Sequence, residues 1–441
     1  MPDTASTPMH GDAAPVPSAP NVSSQKPLIR RGIFYALVAV LLIIAALAHF
    51  WDELSVWRLH SLAAELSQSS HDSEAIDQLR SALRIDRDNP VTVLKLARFH
   101  RRAGQLGESM RLLSAAQELG ADSRQIELER TLLDVQTGHI HGFDQTFAQL
   151  IVDMPEHAPD IMQSYVLGLL ANLQTQKAFQ LLGNWEASSP QDPRPKFLQA
   201  YLYQSIDRLD LSANAYRAGL KLSNDSSLMR RRFGQVLLDA GKTEEALAEL
   251  KKCLEASPGD VEVHYLLAQG AQQQNQLEAA LQELERVLAA NPSHFEALRL
   301  RGQIYLDKGE PQAALADLEQ VASAHPDDTV AREALGRALQ TLGRTDEAKL
   351  HFEFVAAISK LQEETARLIR QVLTEPQNAE LRFEIGVRLL QSGNVADGAK
   401  WLRTVFEIQP NHTDAHLALA SILEMQGDYR NAAMHRELSK K

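Results

Sequence analysis

A single cysteine, Cys253, occurs in 441 residues. One thiol excludes an internal disulfide and a thiolate metal cage in any compartment. Aromatic residues make up only 6% of the chain, which argues against a sheet-rich protein, since strands favour them. Basic residues are outnumbered 45 to 57, for a formal net charge of -12. Broad binding to nucleic acid needs a basic face that neutralises phosphates, so no nucleic-acid partner is expected. The motifs of common chemistry are missing too: there is no H-E-x-x-H helix, G-x-S-x-G elbow or G-x-x-x-x-G-K-[ST] phosphate loop. His139 and His141 have no second pair of ligands nearby. Acidic pairs such as Glu244-Glu245 and Asp327-Asp328 fall at expected helix starts and turns, where the helix dipole explains them. The chain is therefore read as a non-enzyme with no catalytic residue, metal or cofactor.

Long apolar runs are absent except for one. Residues 1–31 are rich in Pro, Ala and Ser without an apolar period, and are expected to be a disordered tail. Ile33 to Trp51 then read IFYALVAVLLIIAALAHFW, with His49 the one strongly polar residue. At about 1.5 Å rise per residue such a helix spans a hydrocarbon layer of about 30 Å, so a transmembrane helix in the lipid bilayer is expected over 32–51. Lys26, Arg30 and Arg31 precede it, whereas Asp52 and Glu53 follow. The positive flank keeps the tail cytoplasmic and sends residues 52–441 outside the cytoplasm, to the periplasmic side of a bacterial inner membrane. Tyr35, Trp51 and Trp57 suit an interfacial belt or packing against the next helix. Ala46-Leu47-Ala48 also fits a signal-peptide cleavage pattern, so an anchor and a signal cut after Ala48 both remain open.

The rest of the chain repeats itself. Stepping by 34 residues aligns Pro258, Pro292 and Pro326; Gly234, Ala268, Gly302 and Gly336; Gly241, Asn275, Gly309 and Gly343; Ala246, Ala280, Ala314 and Ala348; and Leu250, Leu284, Leu318 and Phe352. The register returns upstream at Ala97, Gly104 and Ser109 and downstream at Gly386, Gly393 and Gly398. It loosens near 124–157, where only Gly138 fits, and it is offset by an insertion expected as an extra helix near 361–374. This pattern resembles the tetratricopeptide repeat, a helix-turn-helix unit of about 34 residues, and in particular bacterial membrane-anchored proteins built from it. The resemblance implies an all-α superhelical solenoid of about eleven units over 52–441, with small residues where paired helices cross. Gly302 and Ala314 are read as such a crossing pair, and the polar end MHRELSKK as its cap.

The resemblance also implies a concave groove lined by first helices, with a protein or peptide as partner. Two columns fall on that face. One reads Leu94, Phe197, Arg231, Tyr265, Arg299, Glu333 and Phe383; the next, four residues on, reads Arg98, Tyr201, Gln235, Gln269, Gln303, Arg337 and Val387. Amides both donate and accept, so Gln235, Gln269 and Gln303 suit an extended backbone, while Arg231, Arg299 and Arg337 attract carboxylates. Tyr201 and Tyr265 complete the candidate groove; the competing reading is a solvated helix face. Arg98, Arg101 and Arg102 form a basic cluster, read mainly as solvated arginines with Glu108 and Glu127 as possible partners. The lysine and asparagine clamp of chaperone-binding relatives is missing from these columns. The cysteine-paired metal module of the lipopolysaccharide-assembly regulators is missing as well. The expected function is a membrane-anchored scaffold in assembly of a cell-envelope, secretion or polysaccharide system. The alternative is a capture receptor for extended peptides, of the import or cytochrome c maturation type.

Overall fold

A computed structural model describes residues 46–47, 49–66, 72–140, 142–223 and 226–440. The chain divides into two units, Met1–Arg58 and Leu59–Lys441. In the first, residues 49–58 are helical and expose Phe50, Trp51 and Trp57. No helix among the described residues is long and apolar enough to cross a membrane. The expected tail 1–31 and three quarters of the expected span 32–51 lie outside the described residues.

The second unit is helical throughout, with no strand among the described residues. It opens with α1 (59–66) and α2 (Asp72–Ile85), followed by α3 (Pro90–Arg102) and α4 (Leu106–Glu118). Next come α5 (Ser123–Gln136), α6 (Phe143–Asp153), a 3-10 turn (Pro155–His157), α7 (Ala158–Ala171) and α8 (Thr175–Ser188). The regular middle comprises α9 (Arg194–Ser205), α10 (Leu209–Leu222), α11 (Ser227–Asp239), α12 (Thr243–Ala256), α13 (Val261–Gln273) and α14 (Leu277–Ala290). It continues through α15 (Phe295–Asp307), α16 (Pro311–Ala324), α17 (Thr329–Thr341) and α18 (Thr345–Val372). The last four are α19 (Ala379–Gln391), α20 (Val395–Phe406), α21 (Thr413–Met425) and α22 (Tyr429–Leu438).

Outside the divergent stretch, odd helices from α3 onward pair with the next even helix as hairpins, and the repeating columns explain why. A Cβ on Gly302 would sit 2.7 Å from Leu318 Cγ, and one on Gly336 2.7 Å from Phe352 Cε1. The glycine thus admits a large side chain from the second helix. The residue seated against Gly302 is Leu318, while Ala314, expected there, is fully buried nearby in the core. Where serine replaces that alanine, its hydroxyl is satisfied by the first helix: Ser109 and Ser212 donate to the carbonyls of Ala97 and Ala200, each at 2.8 Å. First helices begin on a periodic cap. Asp260 and Asp328 accept from the backbone N–H of Val263 and Ala331, and Asn378 accepts from that of Leu381. Gly241, Gly309 and Gly343 are left-handed, and Asn275 adopts the same conformation at φ 56°.

The irregular parts depart in identifiable ways. In the divergent stretch, α5 packs against α7, and α6 buries only Phe143. A Cβ on Gly168 would lie 2.3 Å from the Val135 carbonyl oxygen, so only glycine permits that approach. The separate helix expected near 361–374 is instead the second half of α18, a continuous helix of 28 residues. No Gly or Pro intervenes between Gly343 and Pro376, so nothing stops the helix sooner.

The arginine cluster is also placed differently from the solvated reading. Arg101 is fully buried, donating from Nε to Glu129 at 2.9 Å and from Nη1 to Ser164 Oγ at 2.6 Å. Arg98 pairs with the same Glu129 at 2.5 Å, and Arg102 pairs with Asp72 at 2.8 Å. Arg102, Arg101, Arg98 and Arg194 together hold Asp160 down to about 2 against the opposing effect of its burial. The actual carboxylates come from neighbouring helices, because those are what a buried face meets.

The solenoid curves until its last helices meet early ones. Gln174 Nε2 donates to Glu407 Oε1 at 2.6 Å, across 233 residues of sequence. Arg430 lies 3.8 Å from Asp134, and the rings of His139 and His435 are 5.7 Å apart. Two adjoining cavities of about 550 and 460 Å³ follow this seam and share Leu106, Gln136, Ala171 and Lys400.

Candidate protein-binding face

The structure places the candidate residues on consecutive first helices. Tyr201 is on α9, Arg231 and Gln235 on α11, Tyr265 and Gln269 on α13, Arg299 and Gln303 on α15, and Arg337 on α17. Tyr201 is exposed and lines the smaller seam cavity with Trp401 and Lys400. Arg337 is exposed as well, whereas the three glutamines are half-buried. Gln235 donates to Asp239 at 2.8 Å, and Gln269 donates to the Tyr265 hydroxyl at 3.0 Å. The Gln269 Oε1 is buried with no donor among the described residues. Gln303 has no side-chain hydrogen bond there either. Gln235 and Gln269 are therefore partly engaged, and the Gln235 and Gln303 amides keep capacity for a ligand backbone.

Arg231 and Arg299 already hold carboxylates of the chain itself. Arg231 Nη1 donates to both Asp260 oxygens at 3.1 Å, and Arg299 Nη1 donates to Asp328 Oδ2 at 2.6 Å. Those aspartates are the caps of the following first helices. In between, Tyr265 meets His294, the cap of α15, with ring centroids 5.4 Å apart. Phe383 meets His412, the cap of α21, at 4.9 Å. The partner lies 29 residues on in all four cases, and its chemistry matches: arginine with aspartate, aromatic ring with imidazole. Burial pushes the Tyr265 phenol up, so it stays protonated as an acceptor for Gln269. This inter-unit clasp was not anticipated, although Asp or His at a fixed spacing after Arg or an aromatic residue is a readable signal.

Burial raises the Cys253 thiol to about 11, which leaves it protonated and unreactive in its core position. No cluster of three or more potential metal ligands occurs among the described residues.

Successive helix hairpins build the described solenoid, with Gly234, Gly302 and Gly386 admitting Leu250, Leu318 and Leu402 where their helices cross. Family models for the tetratricopeptide repeat match residues 197–261, 237–304, 305–353 and 383–434. The chain is a tetratricopeptide repeat protein, and repeats of this kind serve protein–protein interaction. Among solved structures, MamA is 23% identical over 37% of this chain and 95% of its own, with a TM-score of 0.32. PilW, a type IV pilus biogenesis factor, is 19% identical over 46% and 92%, with a TM-score of 0.40. YrrB, a repeat protein with an unusual peptide-binding site, is 22% identical over 46% and 96%, with a TM-score of 0.29. No curated protein matches the sequence.

Proposed function

We propose that the protein is a membrane-anchored scaffold that holds a protein partner along the face carrying Gln235, Gln269 and Gln303, in assembly of a cell-envelope, secretion or polysaccharide system. The carrying observation is the recurrence of three half-buried amides, one per unit, on three successive first helices. An extended backbone offers alternating donors and acceptors, which an amide column meets without selecting side chains. The exposed Arg337 at the end of the column supplies a cationic contact that Arg231 and Arg299, already paired, do not. The anchor rests on the apolar run at 33–51 and the charges that flank it.

The proposal is tested by replacing the three glutamines together with alanine. The variant should keep its helical content and thermal midpoint while its capture of partner from membranes falls at least tenfold. Undiminished capture contradicts the assignment of the face. Alkaline extraction of membranes tests the anchor, which predicts retention in the pellet. The peptide-receptor alternative predicts enrichment of many unrelated extended segments, where a scaffold returns one or two stable partners.

A further inference from the structure

The larger seam cavity, about 550 Å³, is bounded on one side by α4, α5 and α7 and on the other by α20 and the turn between α21 and α22. Leu106, Met110, Leu133, Ala171, Ala399 and Leu423 make most of its wall apolar. Its charged wall residues are nearly all engaged. Arg111 pairs with Glu108 at 2.6 Å and Lys400 with Asp397 at 2.8 Å. Asp428 caps α22 and accepts from the Asn431 amide at 2.8 Å.

Arg403 is the exception. It lines the cavity, and among the described residues no acceptor meets its guanidinium. Burial lowers it to about 10, with no carboxylate close enough to offset the effect, yet it remains a cation at neutral pH. Its position is built, because Gly138, at φ +103°, leaves the space that the arginine stem crosses. A Cβ there would be 2.9 Å from Arg403 Cδ and 3.3 Å from Ala171 Cβ. Gln136, also on the wall, donates Nε2 to the Arg101 carbonyl and has no donor for its buried Oε1. A half-buried guanidinium without a partner is costly, and a carboxylate relieves that cost with a fixed planar geometry.

We propose that this cavity is a small-ligand site for a monoanionic carboxylate carried on an apolar body, held through Arg403. One uncompensated cation in an apolar chamber selects one negative charge and excludes a strongly hydrated dianion. The chamber also falls within the usual size range for such ligands. Because early and late helices each form one wall, an occupant bridges the two ends of the solenoid and stabilises their closure. The site is separate from the amide column, so it stands or falls independently of the partner-binding face.

The test is titration calorimetry and thermal unfolding of the full-length chain with sodium hexanoate, the neutral analogue hexanamide, and inorganic phosphate. Hexanoate should bind at one site and raise the thermal midpoint. Hexanamide should bind at least tenfold more weakly, and phosphate should not bind saturably. Acetyl-leucyl-leucine with a free carboxylate separates the sources, since preference for it over hexanoate identifies a peptide end and the reverse a free acid. Arg403→Met removes the unpaired charge and is expected to fold, checked by circular dichroism, but to lose hexanoate at least tenfold. Ala396→Phe, on an exposed stretch of the wall, narrows the chamber while keeping Arg403, and should also weaken binding. Equal binding of hexanoate and hexanamide, unchanged binding by Arg403→Met, tighter binding of phosphate, or no saturable hexanoate binding overturns the proposal.

Discussion

Asp328 joins two units through one carboxylate: Oδ1 accepts from the Ala331 N–H at 2.8 Å, and Oδ2 accepts from Arg299 Nη1 at 2.6 Å. One side chain thus caps α17 and ties it to α15. Replacing Asp328 with alanine removes both interactions and should cost about 1–3 kcal/mol. Arg299→Ala leaves the cap and should cost less. A double-mutant cycle by urea denaturation reads the coupling, and strict additivity of the two losses would show that the pair is incidental.

The same position is filled by an aromatic–imidazole pair in the preceding unit, Tyr265 with His294. The two chemistries should therefore be exchangeable. Tyr265→Arg combined with His294→Asp should come within about 1 kcal/mol of the parent, whereas Tyr265→Arg alone should lose more, by leaving a part-buried charge without its carboxylate. Thermal melts of the three variants decide it; equal stability of the single and double variants would remove the pairing rule.

Close approach at glycine gives the sharpest stability prediction. Gly168→Ala forces a methyl group to within 2.3 Å of the Val135 carbonyl oxygen, a backbone atom that cannot rotate away. The loss should exceed that of Gly302→Ala, where the obstacle is the flexible Leu318 side chain. Gly302→Leu should overpack by on the order of 1–3 kcal/mol or more. Calorimetric melts showing the reverse order for the two alanine variants would contradict the packing.

Protonation should loosen the seam. The Pro410 carbonyl can only accept, so His416 donates to it from Nε2 and accepts from His435 Nδ1, at 2.8 Å for each contact. Burial, followed by the nearby His139, His416 and Arg403, holds His435 down to about 3. An unfolded histidine titrates near 6.5, so this contribution is fully present above that value and is lost as pH falls from about 6.5 towards 3. The loss from His435 should be on the order of 1–2 kcal/mol by pH 5. His60, at about 4, and His139, also lowered, act in the same direction. Thermal midpoints between pH 7.5 and 5 should fall, and His435→Gln should flatten the slope. An unchanged slope in that variant would contradict the assignment.

Removing Glu129 should be severe, because Arg101 would stay fully buried without its carboxylate; Glu129→Ala is expected to cost about 3–5 kcal/mol by chemical denaturation. A loss below 1 kcal/mol would mean that water replaces the carboxylate.

The hairpins were readable because each crossing needs a small residue at a fixed step, and Gly234, Gly302 and Gly336 preserve that step. The left-handed positions at Gly241, Asn275, Gly309 and Gly343 were readable for the same reason. What escaped depends on longer relationships. Arg101 finds Glu129 inside the divergent unit, where the register is lost. Gln174 finds Glu407 only because curvature accumulates over many units, which no local column records. The candidate column falls on first helices, where Arg231 and Arg299 face acidic caps 29 residues on, a spacing shorter than the repeat and therefore invisible to a comparison at period 34.

The central claim is that the amide column of the first helices holds a protein partner while the rest of the solenoid is scaffold. A photo-crosslinking residue placed in turn at Gln269 and at Glu245, an exposed residue of a second helix, tests it most directly in intact membranes. The account predicts one or two discrete crosslinked proteins from the Gln269 position and none from Glu245. The same adducts from both positions, or none from Gln269, would contradict it.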